Sequence, residues 1–128
     1  MTDSGLPEAV RLFITRHIDS VEQLETLLLL ARAPDAEWTA AAVAAALYTQ
    51  PASAARRLAS LEEHRLVARV AEARFRFATG GAATVEAVDE LAAAYKERRV
   101  AVITLIASRP MDNVRAFSDA FQIRKKDP

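Results

Sequence analysis

The side chains best suited to chemistry in this chain are arginines. Six of them lie between residues 51 and 78 against three glutamates, a local net charge of +3. Residues 1–50 carry net −4 and residues 79–128 net +1, and seventeen basic residues balance seventeen acidic ones overall. Arginine presents a planar fork of donors that matches a phosphate or the O6/N7 edge of guanine, and small neighbours let a backbone come close to such a partner. In Ala52–Arg65 the arginines Arg56 and Arg57 stand among Ser53, Ser60 and several alanines. Arg69, Arg74 and Arg76 then follow at alternating positions. This pattern suits recognition of a polyanion.

Other chemistries lack their parts. The chain has two histidines, His17 and His64, and no cysteine. No thiolate nucleophile, disulfide framework or thiolate metal site is available. His17 falls on an apolar helical stripe with no second ligand at metal spacing, so it reads as a packed or partly exposed side chain. Glu62-Glu63 and Asp89-Glu90 are neighbours that diverge on a helix and cannot face each other as an acid–base pair. Thr79-Gly80-Gly81 lacks the spacing of a phosphate loop and reads as a flexible joint. We expect no enzyme, no cofactor and no metal.

The elements that must position the arginines can be read in order. Leu6, Val10, Phe13, Ile14, His17 and Ile18 share one face of a helix over 6–18, with Pro7 in its first turn. Ser20 begins a capping box for the next helix, whose face of Val21, Leu24, Leu27, Leu28 and Ala31 is widened by Leu29 and Leu30. Such a helix is a central one. Trp38 precedes the cap Thr39 and is placed to close over Val43 as a hydrophobic staple. Tyr48-Thr49-Gln50-Pro51 reads as a turn, and Ala52–Arg65 as a helix with Ala54, Leu58, Leu61 and Arg65 inward. Its outer side carries Ala52, Ser53, Arg56, Ser60 and Glu63, with Arg57 and His64 on a shoulder. Two short alternating runs, 66–70 and 74–77, read as a hairpin joined by Ala71-Glu72-Ala73. Leu66, Ala68, Val70, Phe75 and Phe77 are expected on its inner face, with Arg69, Arg74 and Arg76 outside.

Beyond the joint, Thr84 is expected to cap one helix running to Ser108, roughly 37 Å long. From Val100 it is apolar nearly all round, more than a chain of 128 residues can cover by itself. We therefore expect a homodimer through Thr84–Ser108 and a last short helix, Met111–Phe121. Arg124-Lys125-Lys126 is a basic tail. The N-terminus MTDSGLPEAV has no signal pattern, and the longest apolar run, Leu27–Ala31, is too short to span a bilayer. A single cytoplasmic domain without a membrane partner is the expectation.

Helix, turn, helix and then a basic hairpin, with Leu58-x-x-Leu61-Glu62-x-x-x-Leu66-Val67 across the junction, resembles bacterial winged helix-turn-helix transcriptional regulators of the MarR, ArsR and PadR kind. The resemblance covers roughly residues 21–78. In those regulators a glycine commonly precedes the Leu-Val that starts the wing; here that position is Arg65. The fold class implied is mainly α with a small β-hairpin wing, an N-terminal helix and a C-terminal dimerisation helix. By this resemblance the partner is double-stranded DNA. Gln50, Ser53, Arg56, Arg57 and Ser60 would face the major groove, and Arg69, Arg74 and Arg76 the backbone. A small-molecule or protein effector is a further expected partner, the former between Leu6–Ile18 and the terminal helices. The alternative is a winged-helix module that binds protein and not DNA, which overall neutrality and a patch of only three net charges would suit.

Overall fold

The structure, a computed structural model, describes residues 5–108. Its elements in chain order are α1 (Glu8–His17), α2 (Val21–Arg32), α3 (Ala40–Leu47), α4 (Pro51–Glu63), β1 (Val67–Ala71), β2 (Arg74–Phe77), α5 (Ala82–Glu97) and α6 (Arg99–Ala107). The architecture is mainly helical with one two-stranded antiparallel hairpin. Met111–Phe121 and Arg124-Lys125-Lys126 lie outside the described residues. Among the described residues no helix is long and apolar enough to cross a membrane.

Local signals set most helix ends. Pro7 occupies the N-cap of α1, where a missing N–H does no harm, and Glu8 and Arg16 sit at the ends that favour their charges. Ser20 caps α2 by accepting from the Gln23 backbone N–H, and Thr39 caps α3 by accepting from Ala42. Pro51, expected in the turn, is the first residue of α4. α2 is the central helix and packs against α3, α4, α5 and β2. It buries Leu24, Leu27 and Leu30, while α4 lays Ala54, Leu58 and Leu61 into the same core at i, i+4, i+7 spacing.

The junction from α4 to the hairpin explains two departures from the sequence reading. Arg65 adopts left-handed backbone, φ 63°. Its N–H donates to the Glu62 carbonyl at 2.9 Å, and the Leu66 N–H donates to the Leu61 carbonyl at 2.9 Å. This is a Schellman closure, with buried Leu61 and Leu66 as its apolar pair. The glycine position is thus kept as a tight turn with arginine in it. Leu66 serves the helix end, not the strand, so β1 starts with a second inward residue, Val67. The parity of the strand is therefore shifted by one. Val67 pairs with Phe77 and Arg69 with Phe75 on one face, while Ala68 pairs with Arg76 on the other and is exposed. The Leu66–Ala68–Val70 inner face is corrected accordingly. Ala71 belongs to β1 and the connection shortens to Glu72-Ala73, with Ala73 left-handed and an irregularity between Arg69 and Ala71. Replacing Arg65 with glycine should raise stability by about 0.5–1 kcal/mol, since the αL penalty exceeds the added chain entropy. Urea denaturation is the measurement.

Trp38 is partly buried against the core that includes Val43, and it has a further role. Its backbone forms a two-way bridge to Phe75, N–H to carbonyl at 2.8 Å in both directions, which adds a short third rung beside β2. At the other end, the single helix expected from Thr84 to Ser108 is two. α5 starts earlier, with Gly81 at its N-cap, so Thr84 caps nothing, and Arg98 (φ −132°, ψ 53°) separates α5 from α6. The Arg98 guanidinium lies against Gly5, where an added Cβ would come within 2.8 Å of it. Both helices pack on α1, which at ~1.5 Å per residue is only about 15 Å long. After the bend α6 packs on both α1 and α5, and its buried residues are Val102 and Ile106.

Candidate nucleic-acid interface

The outer surface of α4 is set by what α2 offers it. Glu22, in the first turn of α2, lies beside the first half of α4 and accepts from three donors. Ser53 Oγ donates to Oε1 at 2.5 Å, Arg57 Nε donates to Oε1 at 2.7 Å, and Thr49 Oγ1 donates to Oε2. These bonds, that of Ser53 foremost, then Thr49 and Arg57, hold the Glu22 carboxyl down at about 2 against the pull of burial. One turn further along α4, Ser60 Oγ accepts from the Gln23 side-chain amide at 3.0 Å, and that amide's oxygen accepts from the Asp19 N–H at 2.7 Å. Gln23 is fully buried with both ends satisfied.

The expected groove face is corrected by these bonds. Ser53, Arg57 and Ser60 are half-buried and turned to α2, so the exposed stripe of α4 is Ala52, Ala55, Arg56, Ala59 and Glu63. Gln50 is the N-cap residue of α4, exposed, and its side chain makes no capping bond. Arg56, Arg74 and Arg76 are exposed and have no ion-pair partner among the described residues. Arg69, expected to project outward, shares the Phe75 face. Its guanidinium stacks 4.5 Å from that ring's centre and forms a two-pronged pair with Glu62, at 3.1 and 3.3 Å. The structure thus divides the eight expected contact residues. Four stand exposed and unpaired (Gln50, Arg56, Arg74, Arg76), and four are bound to neighbours (Ser53, Arg57, Ser60, Arg69).

Sequence reasoning missed the meeting of the chain's two histidines. His17 closes α1 and His64 caps the end of α4, and their Nδ1 atoms lie 3.0 Å apart with the rings edge to face. One imidazole must be the donor and the other the acceptor. Burial, then His64 and Arg16, push His17 below its ordinary value of 6.5. His17 and Glu22 both have folded-state values below their unfolded ones, so each contributes stability at higher pH that is lost as pH falls. Stability should decline first below about 6.5, from His17, and again between about 4.5 and 2, from Glu22. Thermal melting across this range tests it, and Glu22→Gln should remove only the second decline.

A cleft of about 520 Å³ opens where α2, the end of α3 and the α5–α6 bend meet, lined by Leu28, Arg32, Leu47, Tyr48, Lys96 and Arg99 among others. Glu25 on its wall accepts from Tyr95 Oη at 2.7 Å and from Arg99 at 3.4 Å. Burial, and then that bond, push the Tyr95 phenol up to about 12. The cleft is not where the sequence placed an effector, between Leu6–Ile18 and the terminal helices. Among the described residues no group of three or more histidine, cysteine, aspartate or glutamate side chains could hold a metal ion. No protein family, curated protein or solved structure matches the chain.

Proposed function

We propose that this protein is a DNA-binding transcriptional regulator of the winged helix-turn-helix type, acting as a homodimer. The observation that carries the reading is the succession α3, short turn, α4, hairpin, with Arg56 on α4 and Arg74 and Arg76 on β2 exposed and unpaired. In this reading α4 enters the major groove, where the alanines Ala52, Ala55 and Ala59 beside Arg56 let its backbone approach the base edges. The hairpin arginines contact phosphates along the flank. The dimer is supported by α6, where Val100 is 77% exposed and Ala101, Ile103 and Leu105 are only partly covered. A second copy would cover that surface. Fluorescence polarisation with labelled genomic fragments at low salt is the test. Saturable binding that weakens steeply with salt is the expected result, and a flat response sinks the reading.

A second reading draws on the pairing of Arg57 with Glu22 and of Arg69 with Glu62, which leaves a small cationic set. A winged-helix module that binds a protein partner would need no more. A stoichiometric protein partner that survives nuclease treatment is its signature.

A further inference from the structure

The cleft at the α5–α6 bend stands apart from the arginines of α4 and the hairpin, with walls from α2, α3, α5 and the start of α6. At about 520 Å³ it falls within the range of small-molecule sites. Its apolar lining is Leu28 and Leu47, both half-buried, with Ala46 and Ala92 beside them. Three cations share the lining: Arg32 from the end of α2, Lys96 from α5 and Arg99 from α6. The carboxylate among them, Glu25, is already met by Tyr95 Oη and by Arg99. Three cations against one carboxylate leave two positive charges. Arg32 and Lys96 are exposed and have no ion-pair partner among the described residues. Tyr48 adds an aromatic ring to the lining; it is 95% exposed and closes α3 in left-handed backbone, φ 57°. That conformation suits glycine and is costly for tyrosine, and a ring so exposed offsets none of the cost by packing.

We propose that this cleft is a binding site for a small phosphate monoester, a dianionic head carried on an apolar body. The charge of the lining selects the head. Two unpaired cations on different helices are neutralised together by a phosphate monoester, whose three terminal oxygens can accept from a guanidinium and an ammonium at once. A monocarboxylate would answer only one of them. The apolar lining selects the body. A ring or short chain covers Leu28, Leu47 and the uncovered face of Tyr48, surface that inorganic phosphate alone would leave wet. The inference does not draw on the DNA-binding reading, since Arg56, Arg74 and Arg76 take no part in the lining.

The test is calorimetric titration of the full chain with phenyl phosphate, benzoate and inorganic phosphate at about pH 8, where a phosphate monoester carries both charges. Phenyl phosphate should bind once per chain and about tenfold or more tighter than either other probe, because benzoate lacks one charge and inorganic phosphate lacks the body. Arg32→Ala/Lys96→Ala should weaken phenyl phosphate by about ten- to hundredfold, while Arg74→Ala/Arg76→Ala leaves it unchanged. Tyr48→Gly separates binding from folding. It should raise the melting temperature, because glycine takes the left-handed backbone without strain, and yet weaken phenyl phosphate severalfold. No binding of phenyl phosphate at millimolar concentration overturns the inference. So does benzoate or inorganic phosphate binding as tightly, or an affinity unchanged in Arg32→Ala/Lys96→Ala when melting shows that variant folded.

Discussion

Leu58→Ala should destabilise the protein by about 3–4 kcal/mol, the largest single-residue effect we expect. Leu58 has no exposed surface and lies in the middle of the buried stripe Ala54, Leu58, Leu61 that α4 presents to α2 and α3. Truncation removes three carbon atoms' worth of burial and leaves a void. The neighbours cannot easily close it, because α4 is held in its first half by the Glu22 bonds and toward its end by the Gln23–Ser60 bond and the Schellman turn at Arg65. Urea denaturation is the measurement, with the slope against denaturant unchanged if only the native state is affected. Ala59→Ser, on the exposed side of the same helix, should change stability by less than about 0.5 kcal/mol. A loss below about 1 kcal/mol for Leu58→Ala would mean that α4 is not docked as described.

Removing Arg56, Arg74 and Arg76 together should weaken DNA binding by about 10²–10³-fold for each protomer bound near 0.1 M salt. Each lost phosphate contact lowers the slope of log affinity against log salt by about 0.9, which at that concentration is close to a factor of eight. Three contacts multiply. These are the arginines of α4 and β2 that spend no charge on a neighbouring carboxylate, so their full charge faces solvent. Removing Arg69 instead should cost far less in slope, because Glu62 already neutralises it. Its loss should show as a loosened hairpin, since its guanidinium stacks on Phe75. Salt titrations of the triple variant and of Arg69→Ala separate the two cases. Equal slopes for both would show that the local pairing does not govern the interaction.

The sequence alone determined the order and type of the elements from α1 to β2, because the forces that set them act within a turn or two of chain. Ser20 and Thr39 accept from backbone N–H groups three residues on, and Pro51 starts a helix with the φ it already has. The i, i+4, i+7 spacing of Ala54, Leu58 and Leu61 selects the inner face of α4 without reference to any partner. Which polar side chains remain available to a ligand was decided only in three dimensions. Glu22 finds Ser53 and Arg57 at 31 and 35 positions further along the chain, and His17 finds His64 at 47. The outer face of α4 turned because one carboxylate and one amide on α2 reached it. The inner face of β1 shifted by one residue because Leu66 was taken by the helix end. The bend at Arg98 carries no proline or glycine to announce it, and it goes with the packing of both α5 and α6 on α1. Periodicity fixes which side of an element is apolar, but a hydrogen bond between two polar side chains depends on where the packed core brings them, and that distance is not written in either segment alone.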